Sequence, residues 1–437
     1  MRRYASHPLT IRPCIDRGYN LRSKLQVFAS HPLTSSKSGR SKENKTPTLC
    51  TTHISEARVC GILMGTTVSM LNGLLQKSSS LFARGFPTPT YLTIPAAGVN
   101  ITDYSIKHVF FERNREDVRL ISHGKLDLPL GTVERGEVKD AAVLTKLLNR
   151  MREENGYQYV HVALPEEHAY LFQISLPRGT KEEIEQMLEF RLKDNVPIGA
   201  DEAVLDYNVL KENPESYELN VSVYPVMIVN QYLAALHDAG LIPLSLEIEG
   251  QATARALLPT THPTPTLILD IGRNEASLSI STNGIVTFTA TLDTGGDLFT
   301  RAIARGLNLS FQEAERLKRE YGFRDTKESS DVFEQLAPVI GEFKEAVRKH
   351  MMYWHMHTSA DGGVSEEVAQ IVLVGGNANV AGVAEYLEME LGVPVTIGNV
   401  WNHVFSFEDH IPDISAHESL EYATAVGLAL RSLMRGI

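Results

Sequence analysis

The stretch TLILDIGRNEASLSISTNGIVTFTATLDTGGD, Thr266–Asp297, frames the reading of the whole chain. A short apolar run ends in Asp270-Ile271-Gly272. A small polar loop follows, and two strand-like runs are then joined at Asn283-Gly284, a pair that favours a tight hairpin turn. A second glycine pair, Gly295-Gly296, closes the stretch. An acid and a glycine at the end of a buried strand have a physical use. A hairpin of small residues turns backbone N–H groups toward one point and makes a nest for an anion. Gly272, Arg273 and Asn274 belong to that nest, and Asp270 is a candidate to hold Mg²⁺ through water, because that ion keeps several of its waters when bound.

The device occurs twice. GVNITDYSIK (98–107) is again an apolar strand, a small polar turn and a second strand, and it offers Asn100, Thr102, Asp103, Ser105 and Lys107. Two nests facing each other would hold a polyphosphate from both sides. A third loop, LVGGNANVAGV (373–383), carries Gly375, Gly376 and Asn377, and its glycines let a flat base or a ribose approach the backbone closely. None of the three loops is specific alone; their order along the chain is the stronger signal.

Around these loops lies a chain of 437 residues, 43% hydrophobic and 22% charged, long enough for two or three cores. The net charge of −11 is unevenly spread. Residues 1–60 hold eleven Lys/Arg against three acids, which is +8; the remaining 31 basic and 50 acidic residues come to −19. An acidic body argues against a nucleic-acid partner, whose phosphates need a basic face. Cys14, Cys50 and Cys60 all fall in the basic head, so the rest has no cysteine for a disulfide framework or a thiolate metal site. The head, residues 1–63, has no sustained apolar period and contains ASHPLT twice; it reads as a disordered extension or as translation from too early a start. Residues 64–90, with Met70, Leu71, Leu74, Leu75, Leu81 and Phe82 near one helical face, read as an interfacial amphipathic segment or a linker. No run of about 18 apolar residues occurs, so no spanning helix is expected.

From Tyr91 the pattern is α/β. Two or three strands lead to a helix at Asp140–Gly156 and a strand at YVHVALP. A strand, helix, strand, strand, helix order over 166–246 reads as an inserted α+β subdomain, its first helix opened by a Thr180/Glu183 capping box. After the opening stretch come two helices, the second capped by Ser310 with Glu313. A long helix interrupted by Pro338 follows, then a strand–loop–helix–strand unit and one last helix.

In this order the sequence resembles the actin-like ATPases, and within them the PilM family of type IV pilus assembly proteins, relatives of the cell-division protein FtsA. The blocks that carry the resemblance are GVNITDYSIK, ISLPRGTKEEIEQMLEFRLKDNVPIGADEAVLDYNVL (174–210), LEIEGQATARAL, LDIGRNEASLSI, TGGDLFTRAIARGLNLSFQEAERLK (294–318), IVLVGGNANVAGVAEYLEMELGVPV and YATAVGLALR (422–431). The resemblance implies a two-lobed actin-like (ribonuclease H-like) fold with a small SHS2-like insert. Lobe I takes 91–165 with 247–263 and 415–437, the insert 166–246, and lobe II 264–414. It implies ATP and Mg²⁺ as cofactors, with Glu315 and Lys318 joining Gly295, Gly296, Gly375 and Gly376 on the adenosine side. It also implies a cytoplasmic protein, peripheral at the inner membrane. Its partners there would be the N-terminal tail of a PilN-like bitopic membrane protein and other pilus platform proteins, with self-association as a further option.

Two positions depart from the family. Asn100 stands where an aspartate is usual, and Arg273 where a small residue is usual. Asparagine accepts a hydrogen bond but brings no charge to a metal; both changes bear on hydrolysis more than on binding. The expected activity is at most a slow ATPase. The alternatives are an FtsA-like membrane-associated filament protein and an actin-fold phosphotransferase. An enzyme of the latter kind needs a carboxylate facing the γ-phosphate, for which Glu247 and Glu249 are weak candidates. His350, His355 and His357 do not converge on one helix face, which speaks against a metal site there.

Overall fold

The computed structural model describes residues 94–114, 117–360, 366–408 and 410–433. The head and the amphipathic or linker segment lie outside the described residues. Strands β1 (Ala97–Ile101), β2 (Ser105–Asn114) and β3 (Asp117–Asp127) form an antiparallel meander. A short ribbon, β4 (Val133–Glu134) with β5 (Glu137–Val138), leads to helix α1 (Ala141–Asn155). Asp140 caps α1 at its start, and Gly156 ends it in the left-handed conformation. Strand β6 (Tyr159–Leu164) then returns parallel to β1.

The insert follows β6. Strand β7 (Tyr170–Pro177), helix α2 (Lys181–Asn195), strand β8 (Ala203–Glu212) and strand β9 (Ser216–Pro225) make a three-stranded sheet of order β7-β9-β8. Ile184, Leu188 and Leu192, one face of α2, cover Leu219, Val221 and Val223 of β9. The capping box forms as expected: Thr180 accepts from the Glu183 N–H, and the Glu183 carboxylate accepts from the Thr180 N–H at 2.7 Å.

Helix α3 (Val226–Asp238) and strand β10 (Ile242–Ile248), grouped with the insert in the sequence reading, pack elsewhere. Ile228, Val229, Tyr232, Ala235 and Leu236 share one core with Leu144, Leu148 and Met151 of α1 and with Ala97, Val99 and Ile101. Strand β10 pairs parallel with β6, giving the first sheet the order β10-β6-β1-β2-β3.

Helix α4 (Glu249–Leu257) leads to the second sheet, which repeats the topology of the first. Strands β11 (Thr266–Ile271), β12 (Ala276–Thr282) and β13 (Ile285–Leu292) form an antiparallel meander. Helices α5 (Gly296–Leu307), α6 (Phe311–Glu320) and α7 (Ser330–Ala360) follow, and strand β14 (Gln370–Val374) returns parallel to β11. Helix α8 (Val383–Leu391) and strand β15 (Val395–Ile397) complete the order β13-β12-β11-β14-β15.

Helix α7 is not interrupted at Pro338. Val332, Leu336, Ile340, Phe343 and Val347 keep an unbroken buried stripe through it, while Pro338 itself is exposed. The missing proline N–H thus falls on the solvent side, where a carbonyl left without its helical partner can bond water. The last segment is likewise not one helix. A single turn α9 (Ala416–Ser419) and a tight turn at Leu420–Tyr422 precede α10 (Ala423–Leu430).

Every residue of α10 is buried, and it packs on α4 and on β1 and β2. Gly98 in β1 permits that approach: a Cβ there would run into Ala425 O and Ala429 N of α10. Helices α4 and α10 also join the second sheet's core through Ala254, Ala256, Leu257, Ala425 and Val426. They are thus among the elements in contact with both halves. A buried charge cluster ties them: Arg255 donates to both Glu247 carboxylate oxygens at 2.7 and 2.6 Å and to Gly427 O at 2.8 Å, and Arg431 reaches Glu247 at 3.1 Å.

Candidate functional site

The two nests are built to one plan. In the first, Asn100 of β1 pairs with Lys107 of β2; in the second, Asp270 of β11 pairs with Ser277 of β12. In each loop the first N–H donates to the carbonyl three residues on, Thr102 to Ser105 and Gly272 to Glu275, at 2.9 Å in both. The tips meet. Asn274 donates its side-chain amide to the Tyr104 hydroxyl, two residues at equivalent positions of the two loops, and the Arg273 guanidinium lies over the Tyr104 ring 5.2 Å from its centre. Arg273 also pairs with Asp297 at 3.2 Å. Asp103 points the other way, accepting from the backbone N–H groups of Arg135 and Gly136 at 2.8 and 3.1 Å.

Behind the tips the groups are charged and secluded. Burial draws the Lys107 amine below its ordinary value, against Glu421 and Asp270, which hold it up. Burial pushes the Asp270 carboxyl up to about 6, Lys107 opposing. Lys125, opposite Lys107 on β3, pairs with Glu421 at 2.8 Å. Asn100 lies beside Glu249, and its Oδ1 is a buried acceptor without a partner among the described residues. An uncompensated buried acceptor beside a lysine and an aspartate is what a bound donor or a metal-held water would complete.

The third loop closes on the second nest. Gly375 has φ +87°, and a Cβ there would collide with Asp270 Oδ1, so the carboxylate rests directly on the loop backbone. Asn377 donates its backbone N–H to Ile271 O at 3.1 Å and its side-chain amide to Gly272 O at 2.7 Å. Lys318 is the hub. Its amine donates to Asn377 Oδ1 at 2.9 Å and to Gly296 O at 3.1 Å, and pairs with Glu315 at 2.7 Å. Glu315 in turn accepts from Thr300 at 2.6 Å. Glu315 and Lys318, set three apart on α6, are therefore no solvated surface pair; Lys318 is 2% exposed and all three of its donors are used. It fixes loop positions through Gly296 and Asn377. Gly295, which caps α5 at its N-terminus, is packed against the backbone of Arg273, Asn274 and Glu275.

The two weak catalytic candidates part company. Glu247 is wholly buried in its arginine cluster; burial works against its ionisation, but Arg255 and Arg431 outweigh it and hold the carboxyl below its ordinary value. It faces no cleft. Glu249 sits beside Asn100, and burial, with Glu166 and Glu167, raises its carboxyl well above the ordinary range. Two participants escaped the sequence reading. Tyr104 is not among the sequence candidates, although an aromatic ring in a loop of small residues is a signal for it. Glu166, which accepts from Ser279 at 2.8 Å and is pushed up to about 8 by burial, gave none beyond following a strand. Of the three histidines, His350 and His355 bond the Ala346 and Glu366 carbonyls, and the side chain of His357 lies outside the described residues.

Two five-stranded sheets of one topology, joined by buried helices and carrying facing hairpins, are the actin-like two-lobed ATPase fold, here with a small α+β insert. The family model described as type IV pilus assembly protein PilM matches residues 98–433, and the chain belongs to that family. Among solved structures, the PilM–PilN type IV pilus biogenesis complex aligns with a TM-score of 0.65 at 25% identity, covering 78% of this chain and 99% of the matched one. The cell division protein FtsA of Enterococcus hirae is 28% identical over 221 residues, 46% of this chain and 50% of that protein. FtsA of Staphylococcus epidermidis is 22% identical over 181 residues, 38% of this chain and 39% of that protein. The chain thus spans about half the length, or less, of these curated relatives. Among the described residues no helix is long and apolar enough to cross a membrane.

Proposed function

We propose that the chain is a nucleotide-switched binding module of the type IV pilus assembly apparatus: it takes Mg·ATP between its lobes and docks the N-terminal tail of a PilN-like membrane protein. The observation that carries the reading is the pair of facing hairpins, with the half-buried lysine of one set against the half-buried aspartate of the other and an unpartnered Asn100 acceptor opposite the lysine. That donor set fits a magnesium polyphosphate. Lys107 and the backbone amides of Asp103 and of 273–275 would take phosphate oxygens, and Asp270 would hold the metal through water, with Asn100 bonding a water of its shell. The metal would neutralise phosphate charge. With Tyr104 bonded to Asn274 across the tips, nucleotide is admitted only when the hairpins part.

Turnover is expected far below ~1 s⁻¹, the low end of ordinary enzymes. Asn100 brings no charge to the metal, and Glu247 is locked to two arginines. The partner tail would lie beside the insert, where Phe190 on α2 and Val209 on β8 are exposed apolar side chains. The PilM–PilN complex among the solved structures supports this choice of partner. For the nucleotide to act as a switch, its two states must differ in affinity for the tail.

Calorimetric titration tests both halves. Wild type should bind Mg·ATP, Asp270→Ala should lose the Mg²⁺-dependent part without a fall in Tm, and a peptide of the partner's N-terminal tail should bind the ATP form several-fold better than the apo form. Wild-type affinity in Asp270→Ala would refute the cleft assignment. Turnover of tens per second toward a small acceptor, without tail binding, would favour a phosphotransferase.

A further inference from the structure

Helix α4 has two working ends. Its first turn, Glu249 to Thr253, faces the hairpin cleft together with Asp270 and Ser277. Its other side, Gln251, Ala254 and Arg255 with the following Leu258, lines a separate cavity of about 420 Å³. The size is that of a ligand pocket, in the range of about 300–1,000 Å³. Its floor is apolar, from Val118, Leu258, Val404, Leu430 and Leu433, and its rim is the exposed run Pro259-Thr260-Thr261. An apolar centre with a polar rim is the anatomy of a protein-binding patch.

The charge of this cavity sets it apart. Among the described residues no acidic side chain lines it, in a chain whose non-head part carries −19. Two arginines do, Arg113 and Arg255. Arg255 is neutralised by Glu247, which Arg431 also shares. Arg113 remains: its Nε is buried and has no hydrogen-bond partner among the described residues. An inward-facing guanidinium donor that the fold leaves unsatisfied beside aliphatic walls asks for a carboxylate carried on an apolar support.

We propose that this cavity is a second docking site, and that it takes a short peptide segment of a partner protein in which a Glu or Asp is flanked by bulky aliphatic side chains. The carboxylate would pair with Arg113, the aliphatic groups would fill the floor, and the peptide backbone would run along the Thr260-Thr261 rim. No residue of the insert lines the cavity, and the site does not depend on the nucleotide reading. Because α4 borders both the cavity and the cleft, an occupant would also contact the helix that contributes Glu249 to the hairpin cleft.

The test is selection from a displayed heptapeptide library on the full chain, run in parallel on wild type and Arg113→Gln, followed by titration of the selected peptide and of its Glu→Gln form. Wild type should enrich an acidic residue between aliphatic ones, and Arg113→Gln should lose that consensus. The removal of either charge should weaken binding about tenfold, and removing both should cost no more than removing one. Arg113→Lys should restore part of the affinity, and matching melting curves show that the variants are folded. The proposal is overturned by the absence of an acidic–aliphatic consensus on wild type, by equal enrichment on Arg113→Gln, or by selected peptides that the PilN-like tail displaces, which would place them at the insert. Binding of decanoate but of no peptide would also overturn it, in favour of a small amphiphile.

Discussion

Glu247→Gln separates a structural role from a catalytic one. In the wild type, one carboxylate receives two Arg255 bonds of 2.7 and 2.6 Å and a third from Arg431 at 3.1 Å, with the carboxylate fully buried and Arg255 4% exposed. The glutamine keeps the shape but removes the charge, and one of its two ends becomes a donor facing donors. Breaking a buried pair by removing one partner costs about 3–5 kcal/mol, because the remaining charge stays buried. At about 2–4 °C per kcal/mol, Tm should fall by roughly 10 °C. The pH dependence adds a sign. Burial raises the carboxyl, the arginines lower it further than burial raises it, and the net shift is downward. The stabilisation is therefore fully present above the ordinary carboxylate range and is lost as pH falls through the depressed folded value. Wild type should lose stability more steeply than the variant on acidification below that range. Differential scanning calorimetry across pH, with ATP turnover measured on the same samples, is the assay. A variant with unchanged Tm, or one that keeps its Tm and loses turnover, would refute the reasoning and return Glu247 to the catalytic list.

Tyr104→Ser removes the contact that bridges the two hairpin tips, so the rate of Mg·ATP association in stopped flow should rise several-fold; an unchanged rate would show that the bridge does not limit admission. The Asp270 carboxyl, raised to about 6, must ionise to hold metal, so Mg²⁺-dependent affinity should fall about tenfold per pH unit below that value and level off above it. The same shift makes the charged form unfavourable in the free protein, its cost growing as pH rises from the ordinary aspartate value to about 6; Asp270→Asn should raise Tm at pH 7 while abolishing Mg²⁺-dependent binding. Gly98→Val drives a side chain into Ala425 O and Ala429 N of α10 and should cost about 3 kcal/mol or more, read as a large drop in Tm or in soluble yield.

Local chemistry was legible in the sequence where it is self-contained. Asn283-Gly284 makes the turn its composition demands, with φ of 54° and 77°. Thr180/Glu183 and Ser310/Glu313 both form full capping boxes. What the sequence could not carry were choices between equally good burials. The apolar stripe of α3 fits a helix on either sheet, and only the parallel pairing of β10 with β6 draws it into the first core. Pro338 reads as a break until the buried stripe of α7 shows that the lost N–H faces water. Lys318 and Glu315 look like a surface pair because spacing on a helix says nothing of the Gly296 carbonyl and the Asn377 amide that meet them from two other segments.

The duplication explains why the pair of loops was found and why their roles were not. Six residues separate Asn100 from its cross-strand partner Lys107, and six separate Asp270 from Ser277, so the backbone device is the same in both halves. The side chains on it are not. One half supplies the half-buried amine and an unpartnered acceptor, the other the carboxylate and the contact with the third loop. Neither half alone offers both a cation for phosphate and an anion for a metal. A ligand that needs both is held only when the two hairpins face each other across it. Its binding free energy therefore acts on the separation of the halves, and with it on α4, which packs on both sheets, and on α10, which packs on α4 and the first sheet.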